Sequence, residues 1–202
     1  MRICFFGETS GRGRNACLAL GHDAWSCDLL PTEVPGPHRK ADMFKVMEEY
    51  WDIGIFHPTC TYMCVSGLHW NKRRPERERE TERSLDEVRK IMSCHIPKWA
   101  IENPIGCIST RIRKPDQIIQ PWQFGHPESK ATCLWLHGLP LLIPTKVLPL
   151  PPSGRWMNQT PSGQNKLGPS ADRWKIRSRT YLGIAQAMAL QWTIPNITEE
   201  PI

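Results

Sequence analysis

Arg2-Ile3-Cys4-Phe5-Phe6-Gly7-Glu8-Thr9-Ser10-Gly11 starts the chain with a short apolar run and stops it at once on a glycine-bearing turn. A run that short and that apolar, bounded by a turn, reads as a strand buried on both faces. Arg12 to Leu20 then reads as a helix ended by Gly21. His22 to Cys27 is a second strand ending at Asp28, and a Pro/Gly-rich loop from Pro31 to His38 follows it. Beyond Ala41-Asp42, the segment Met43 to Tyr50 is short and amphipathic. Asp52-Ile53-Gly54-Ile55-Phe56 gives a third strand, broken by His57-Pro58-Thr59-Cys60. Lys98 to Ile101 adds another, leading directly into Glu102-Asn103-Pro104. Strands alternating with helices in this order predict an α/β fold with an open parallel sheet.

Outside that alternation the pattern changes. Lys72 to Lys90 is dominated by alternating Arg and Glu and reads as a solvated helix, with a phosphate-tracking arm as the alternative that the near-cancelling acids disfavour. Within it Ser84-Leu85-Asp86-Glu87 has capping-box spacing, and Leu85, Val88 and Met92 could share one face. After Pro115 the chain is punctuated by prolines, with Cys133-Leu134-Trp135-Leu136 as a short strand. Arg155 to Ser170 reads as a flexible loop, and Tyr181 to Trp192 as a helix with Ile184, Met188 and Gln191 or Trp192 at helical spacing. The expected organisation is an α/β core over residues 1–113, a reduced Pro-rich segment over 114–170, and a C-terminal helix within 171–202 that returns to the core.

The 202 residues suffice for one well-buried domain. Lys and Arg number 26 against 20 Asp and Glu, a formal charge of +6 that suits a polyanionic partner without identifying one. No stretch approaches the roughly 20 apolar residues that cross a bilayer, and Arg2–Phe6 is too short for a signal peptide. A soluble, intracellular protein is therefore expected, with no membrane contact. The eight cysteines are scattered, mostly in apolar segments, without a Cys-x-x-Cys pair, so reduced thiols are expected.

Two groups stand just past predicted strand ends: Cys60 after Phe56, and Glu102 after Ile101. In an open parallel sheet that edge is where ligands bind. A thiol and a carboxylate there suggest covalent attack with proton management. Spacing alone favours the plainer reading, in which Cys60 is a small buried residue and Glu102 a capping group. A metal site competes for the same region, because His57, Cys60, Cys64 and His69 offer N and S ligands, with Cys94, His95, Cys107, His126 and Cys133 further off. Their spacing matches no common zinc signature, and no metal is expected.

The local sequences resemble those of DNA cytosine-5 methyltransferases. Phe56-His57-Pro58-Thr59-Cys60-Thr61-Tyr62-Met63-Cys64-Val65-Ser66-Gly67 is similar to that family's Pro-Pro-Cys loop, with Pro58, Cys60 and Gly67 on its positions. Glu102-Asn103-Pro104 resembles its Glu-Asn-Val motif, Phe5-Phe6-Gly7 the start of its cofactor loop, and Gly183-Ile184-Ala185-Gln186-Ala187-Met188-Ala189 its last helix. Asp28 sits where the family places its ribose-binding acid, and Asp42 where it places an acid near the adenine. Pro121 to Glu128 and Asp172 to Lys175 are similar to short phage and prophage proteins given the same label. The resemblance covers Ile3 to about Gly106 and Tyr181 to Trp192.

The resemblance implies a Rossmann-like sheet that binds S-adenosylmethionine through Phe5, Gly7, Asp28, Asp42, Pro58 and Gly183. It implies DNA as substrate, double- or single-stranded, in the cytoplasm of a bacterial host, with no protein partner. Cys60 would attack C6 of cytosine while Glu102 bonds the N3 edge, and Asn103 would hold the Glu102 turn. Arg111 and Arg113 echo a Gln-x-Arg-x-Arg motif and would touch phosphate or base; His126 and Glu128 would line the substrate pocket, or form a structural turn. The chain departs from the family at Thr59 and Thr61, at Thr9 and Ser10 in place of glycines, and in having only about 114–170 where a target-recognition domain is usual. Those departures keep two other readings open: a non-catalytic nucleic-acid or protein-binding module on a decayed fold, and a different thiol-addition enzyme acting on a pyrimidine.

Overall fold

In the computed structural model, which describes residues 1–194, the apolar runs become the middle of one seven-stranded sheet. Its strands are β1 (Arg2–Phe6), β2 (Asp23–Asp28), β3 (His38–Lys40), β4 (Ile53–Phe56), β5 (Lys98–Pro104), β6 (Gln117–Ile119) and β7 (Thr132–His137). They lie in the order β3-β2-β1-β4-β5-β7-β6. The first five pair in parallel, and β7 runs antiparallel to both its neighbours. The sheet is thus mixed α/β and mostly parallel, as the strand–helix alternation predicts. The order 3-2-1-4-5 is that of doubly wound sheets, in which the crevice opens where the chain reverses direction across the sheet, here between β1 and β4.

Helices cover both faces, which is why the strands read as continuous apolar runs and not as alternations. On one face Cys4, Phe6, Phe56, Ile101 and Trp135 pack against Leu85, Val88 and Ile91 of α4 (Glu76–Met92). On the other, Ile3, Phe5, Ile55 and Leu134 meet Cys17 of α1 (Arg12–Ala19) and Ile184 and Met188 of α7 (Leu182–Thr193). The shorter helices are α2 (Met43–Val46), α3 (Val65–Leu68), α5 (Ile108–Arg111) and α6 (Arg173–Ser178).

Several expectations are corrected. The capping-box spacing at Ser84 goes unused: α4 starts eight residues earlier, at Glu76, and Ser84 is a buried mid-helix residue. Glu76 and Glu78 in its first turn and Arg89 and Lys90 in its last oppose the helix dipole favourably, so charge placement rather than a cap marks its ends. Ile91 joins Leu85 and Val88 in the buried stripe, and Met92 packs partly buried against the same cluster. Within the amphipathic segment after Asp42, Met43–Val46 is helical. β3 and β6 form the two sheet edges; β3 is His-Arg-Lys, wholly polar, and β6 is three residues between Pro115 and Pro121, so neither gave a strand signal. Both β6 and β7 come from the Pro-rich segment and are part of the same sheet. Over 155–170 there is no strand or helix, only an isolated bridge between Gln159 and Asn165.

One interior polar group organises the loop after β2. Arg14 of α1 is wholly buried. Its guanidinium donates to the Ser26 and Thr32 hydroxyls at 3.1 and 3.3 Å and to the carbonyls of Val34, Pro35 and Pro37 at 3.1, 3.0 and 3.3 Å. The loop wraps so closely that a Cβ on Gly36 would lie 2.7 Å from the guanidinium carbon. Nη1 and Nη2 thereby meet five acceptors on β2 and the loop after it, and Nε donates to Asn15 Oδ1 at 3.0 Å, so each nitrogen of the buried charge has a partner, as burial requires. Among the described residues no helix is long and apolar enough to cross a membrane.

Candidate active site

The sheet geometry brings the two expected groups together. Parallel pairing of β4 with β5 ends at Phe56 opposite Ile101, while β5 continues alone against β7, with Glu102 opposite Leu134 and Asn103 opposite Cys133. The chain leaving β4 therefore peels away over the exposed end of β5. Asn103 is buried and its Nδ2 donates to the Pro58 carbonyl at 2.9 Å. Asn103 thus fastens the Cys60 loop, not the Glu102 turn as expected. Two backbone bonds fasten the loop further on, Cys107 N to Met63 O at 2.8 Å and Val65 N to Ile105 O at 3.1 Å. Gly106 makes that approach possible, because a Cβ there would lie 2.0 Å from the Met63 carbonyl oxygen.

Glu102 is an anion in this setting. Its carboxyl is held down to about 2 although burial opposes ionisation; the Lys130 charge, the His57 ring and the Thr132 hydroxyl outweigh that burial. Because the carboxylate can only accept, His57 Nδ1, 3.4 Å away, is the donor, and this fixes the imidazole tautomer. His57 Nε2 is buried without a protein partner. His57, Lys130 and Thr132 had no catalytic role in the sequence reading. Lys130 and Thr132 precede and open β7, and the signal that could have found them is the pairing of β7 with β5, which the sequence does not show.

The thiols form a pair. The hydrogen bond that Cys60 gives to Cys64 pushes the Cys60 thiol well up, with burial and the nearby charges of Cys64 and Glu102 acting the same way. The same bond, with help from the Ser66 hydroxyl and the Gly67 backbone N–H, lowers Cys64 to about 5 despite its burial. The pair therefore gives up its first proton readily, from Cys64, and holds the second on Cys60. Cys64 was named beforehand only as a metal candidate. A direct expectation follows for alkylation by iodoacetamide, read by mass spectrometry across pH. Modification should begin at Cys64 and rise through a midpoint near 5, since thiolate accumulates above that pH. A single rise near 9, equal at both cysteines, would show that the sulfurs share no proton.

The residues expected at the cofactor lie around the β1/β4 crevice in different states. Gly7 takes φ +73°, and a Cβ there would come within 2.5 Å of the His57 carbonyl oxygen, so the turn after β1 and the turn after β4 touch. Asp28 ends β2, and one carboxylate oxygen accepts from Leu30 N at 2.9 Å. Asp42 caps α2 by accepting from Phe44 N at 3.0 Å. The Phe5 ring lies in the core beneath Gly13, and so reaches the crevice only through its backbone. Glu8, unnoticed in the sequence, is buried with its carboxylate accepting from Ser10 Oγ and from Gly11 N at 3.0 Å.

The expected substrate contacts are engaged within the protein. Arg111 pairs with Glu78 and Glu82 of α4 at 2.7 and 2.6 Å, and Arg113 with Asp116 at 2.9 Å. His126 Nε2 accepts from Gly183 N at 2.9 Å, and Tyr181 donates to Glu128 at 2.5 Å. The turn at 124–128 thus docks on the start of α7, where a Cβ on Gly183 would lie 2.0 Å from the Phe124 carbonyl oxygen. Among the described residues no group of three or more His, Cys, Asp or Glu side chains is arranged to hold a metal ion.

No family model and no curated protein matches the chain. Among solved structures it is similar to a prophage-encoded E. coli protein provisionally described as a DNA modification methyltransferase, at 11% identity and a TM-score of 0.45. The match covers 74% of this chain and 52% of the other, so the chain spans about half the length of that protein.

Proposed function

We propose that the protein transfers the methyl group of S-adenosylmethionine to C5 of cytosine in DNA through a covalent adduct on Cys60. The observation that carries the reading is the bond from Asn103 to the Pro58 carbonyl, which fixes a thiol-bearing loop over a carboxylate at the carboxyl edge of a mostly parallel sheet.

The residues present fit the cofactor. Asp28 stands 21 residues beyond Gly7 at the end of β2, the place from which an acid reaches a ribose hydroxyl in doubly wound sheets. The buried Glu8 carboxylate offers a counter-charge to the cofactor's ammonium group. Gly7 and Pro58 line the crevice between them, and Asp42, Gly183 and the Phe5 backbone complete its surroundings. Bound there, the cofactor supplies an electrophilic methyl group.

Cytosine C5 becomes nucleophilic only when a group adds at C6. Cys60 adds as its proton passes to Cys64, whose thiolate already accepts the hydrogen bond. Glu102 enters as a carboxylate and accepts from the exocyclic amine of the base. It cannot donate to N3 until it takes up a proton, and that proton comes from solvent, since a neutral His57 that gave up its Nδ1–H would be left an imidazolate; His57 orients the carboxylate. Negative charge developing on the ring draws the solvent proton through Glu102 to N3. Loss of the C5 proton and expulsion of Cys60 then restore the ring. A base inside a duplex must be extruded for this chemistry. The Pro-rich segment 114–170 supplies recognition in this reading, and the protein acts in the cytoplasm of a bacterial host.

Calorimetric titration tests the cofactor half of the proposal. S-adenosylmethionine should bind with micromolar affinity, and Asp28→Ala should weaken it by about 10- to 100-fold, the worth of a hydrogen bond to a charged group. Absence of binding at millimolar cofactor would overturn the assignment.

A further inference from the structure

The positive charge of the chain is not spread over its surface. Two stretches without an acid, His69–Pro75 and Arg173–Arg179, hold seven of the 26 Lys and Arg, and the remaining 19 face 20 Asp and Glu. Each stretch carries an exposed tryptophan, Trp70 at 41% and Trp174 at 56%. Arg73 and Arg74 lie over the Trp70 ring at 5.7 and 5.6 Å, and His69 packs beside it at 4.8 Å.

Both stretches are tied to the reaction centre. The first follows α3, whose residues Gly67 and Leu68 bond back to the Cys64 carbonyl at 2.9 and 3.0 Å. Arg77, just beyond it, donates to the Thr61 carbonyl at 3.2 Å and stacks on Tyr62. The second contains α6, where the Arg177 carbonyl accepts from Lys130 Nζ at 3.0 Å, and Lys130 is the cation that acts on Glu102 and Cys60. Arg179 pairs with Glu33 at 2.6 Å, anchoring that stretch to the loop organised by Arg14.

We propose that Trp70 with Lys72, Arg73 and Arg74, and Trp174 with Arg173, Lys175 and Arg177, form a binding track for single-stranded nucleic acid across the entrance to the Cys60–Glu102 site. The inference rests on the methyltransferase reading and deepens it, by naming how the polymer is held. A cationic groove with exposed aromatic rings suits a single strand: the cations follow phosphates, and each ring stacks on an unpaired base whatever its identity. A duplex offers phosphates to the cations but no base face to either tryptophan. Sequence-tolerant grip of this kind also accords with the short recognition segment.

Fluorescence anisotropy with a labelled oligonucleotide of about 20 nucleotides, long enough to exceed one such site, tests it. The full chain should prefer the single strand to the same sequence as a duplex. Trp70→Ala and Trp174→Ala should each weaken binding by about 5-fold or more, and Trp70→Phe should retain most of it. Changing Lys72, Arg73 and Arg74 together to Gln should flatten the plot of log affinity against log salt by about 2. Thermal melting confirms that each variant folds. Unchanged binding in both alanine variants, preference for the duplex, or equal and tryptophan-dependent binding of polyglutamate would each overturn the proposal. Methyl transfer is measured on the same samples. Tryptophan-dependent binding without transfer would sink the methyltransferase reading alone, whereas transfer that ignores both tryptophans would sink the track alone.

Discussion

Cys60→Ser protein is expected to lose cytosine methylation by about 10⁴-fold or more, while Cys64→Ser should keep the reaction and change its pH dependence. A serine hydroxyl at position 60 is too poor a nucleophile to add to a pyrimidine ring, and removing the attacking atom of a covalent mechanism leaves only binding and electrostatics. At position 64 the loss is of a proton acceptor. Cys64 is the sulfur that ionises first, near 5, and Cys60 is held protonated by the hydrogen bond it gives to that thiolate. In Cys64→Ser the attacking thiol must lose its proton to solvent. Transfer near neutral pH should therefore fall by about 10²-fold, the lower range for general base catalysis. It should recover as pH rises toward 9, where a solvent-titrated thiol ionises. Rates measured with single-stranded DNA containing cytosine would show this. Trapping on 5-fluorocytosine, which cannot shed its C5 substituent as a proton, would locate the adduct. An adduct on Cys64, with transfer surviving in Cys60→Ser, would reverse the two roles.

Arg14→Met should lower the melting temperature by about 6–12 °C. The methionine removes all five bonds: the Pro35 carbonyl loses the one donor it has among the described residues, while Val34 keeps the Thr32 hydroxyl, Pro37 the Ser26 N–H and the Ser26 hydroxyl its contact with His38. Stranding one buried carbonyl costs about 1–3 kcal/mol, and the other lost bonds to the charged group bring the net loss to about 3 kcal/mol. For a chain of this length each kcal/mol corresponds to about 2–4 °C. Arg14→Lys should recover only a fraction, because an ammonium has three N–H donors for the acceptors that the guanidinium serves. Differential scanning calorimetry of the three proteins checks the order. Cofactor affinity should fall with stability, since the loop that Arg14 gathers begins at Asp28.

What could be read from the sequence followed from local rules. Strands β1, β4 and β5 contain short apolar runs, α1 is closed by Gly21, and α7 carries Ile184 and Met188 at helical spacing, so each declared itself within a window of a few residues. Cys60 and Glu102 were legible because both fall directly after such runs. The groups that tune them were not. Lys130 and Thr132 act on Glu102 only because β7 inserts antiparallel beside β5, a long-range pairing with no local trace. His57 and Cys64 were visible as metal-binding residue types, but the bonds that give them other roles depend on how the loop folds back. Arg14 sits in a stretch that looks like an ordinary amphipathic helix, and nothing near it announces a wholly buried charge. The ion pairs of Arg111 gave no local sign either, since the acids that engage it lie on α4, more than 25 residues earlier.

In the proposed reaction, the pinning of the Cys60 loop at Pro58, Met63 and Val65 would leave the polymer as the partner that deforms. A loop held at three points to the neighbouring strand and the turn after it has little freedom to reach for a base. The strain of bringing cytosine to sulfur would then fall on the DNA, at a few kcal/mol for a paired base and much less for an unpaired one. A catalyst of that kind would sort its substrates by how easily they melt. Bubbles, mismatches and free strands would be modified ahead of intact helix, with no need to read a sequence at all.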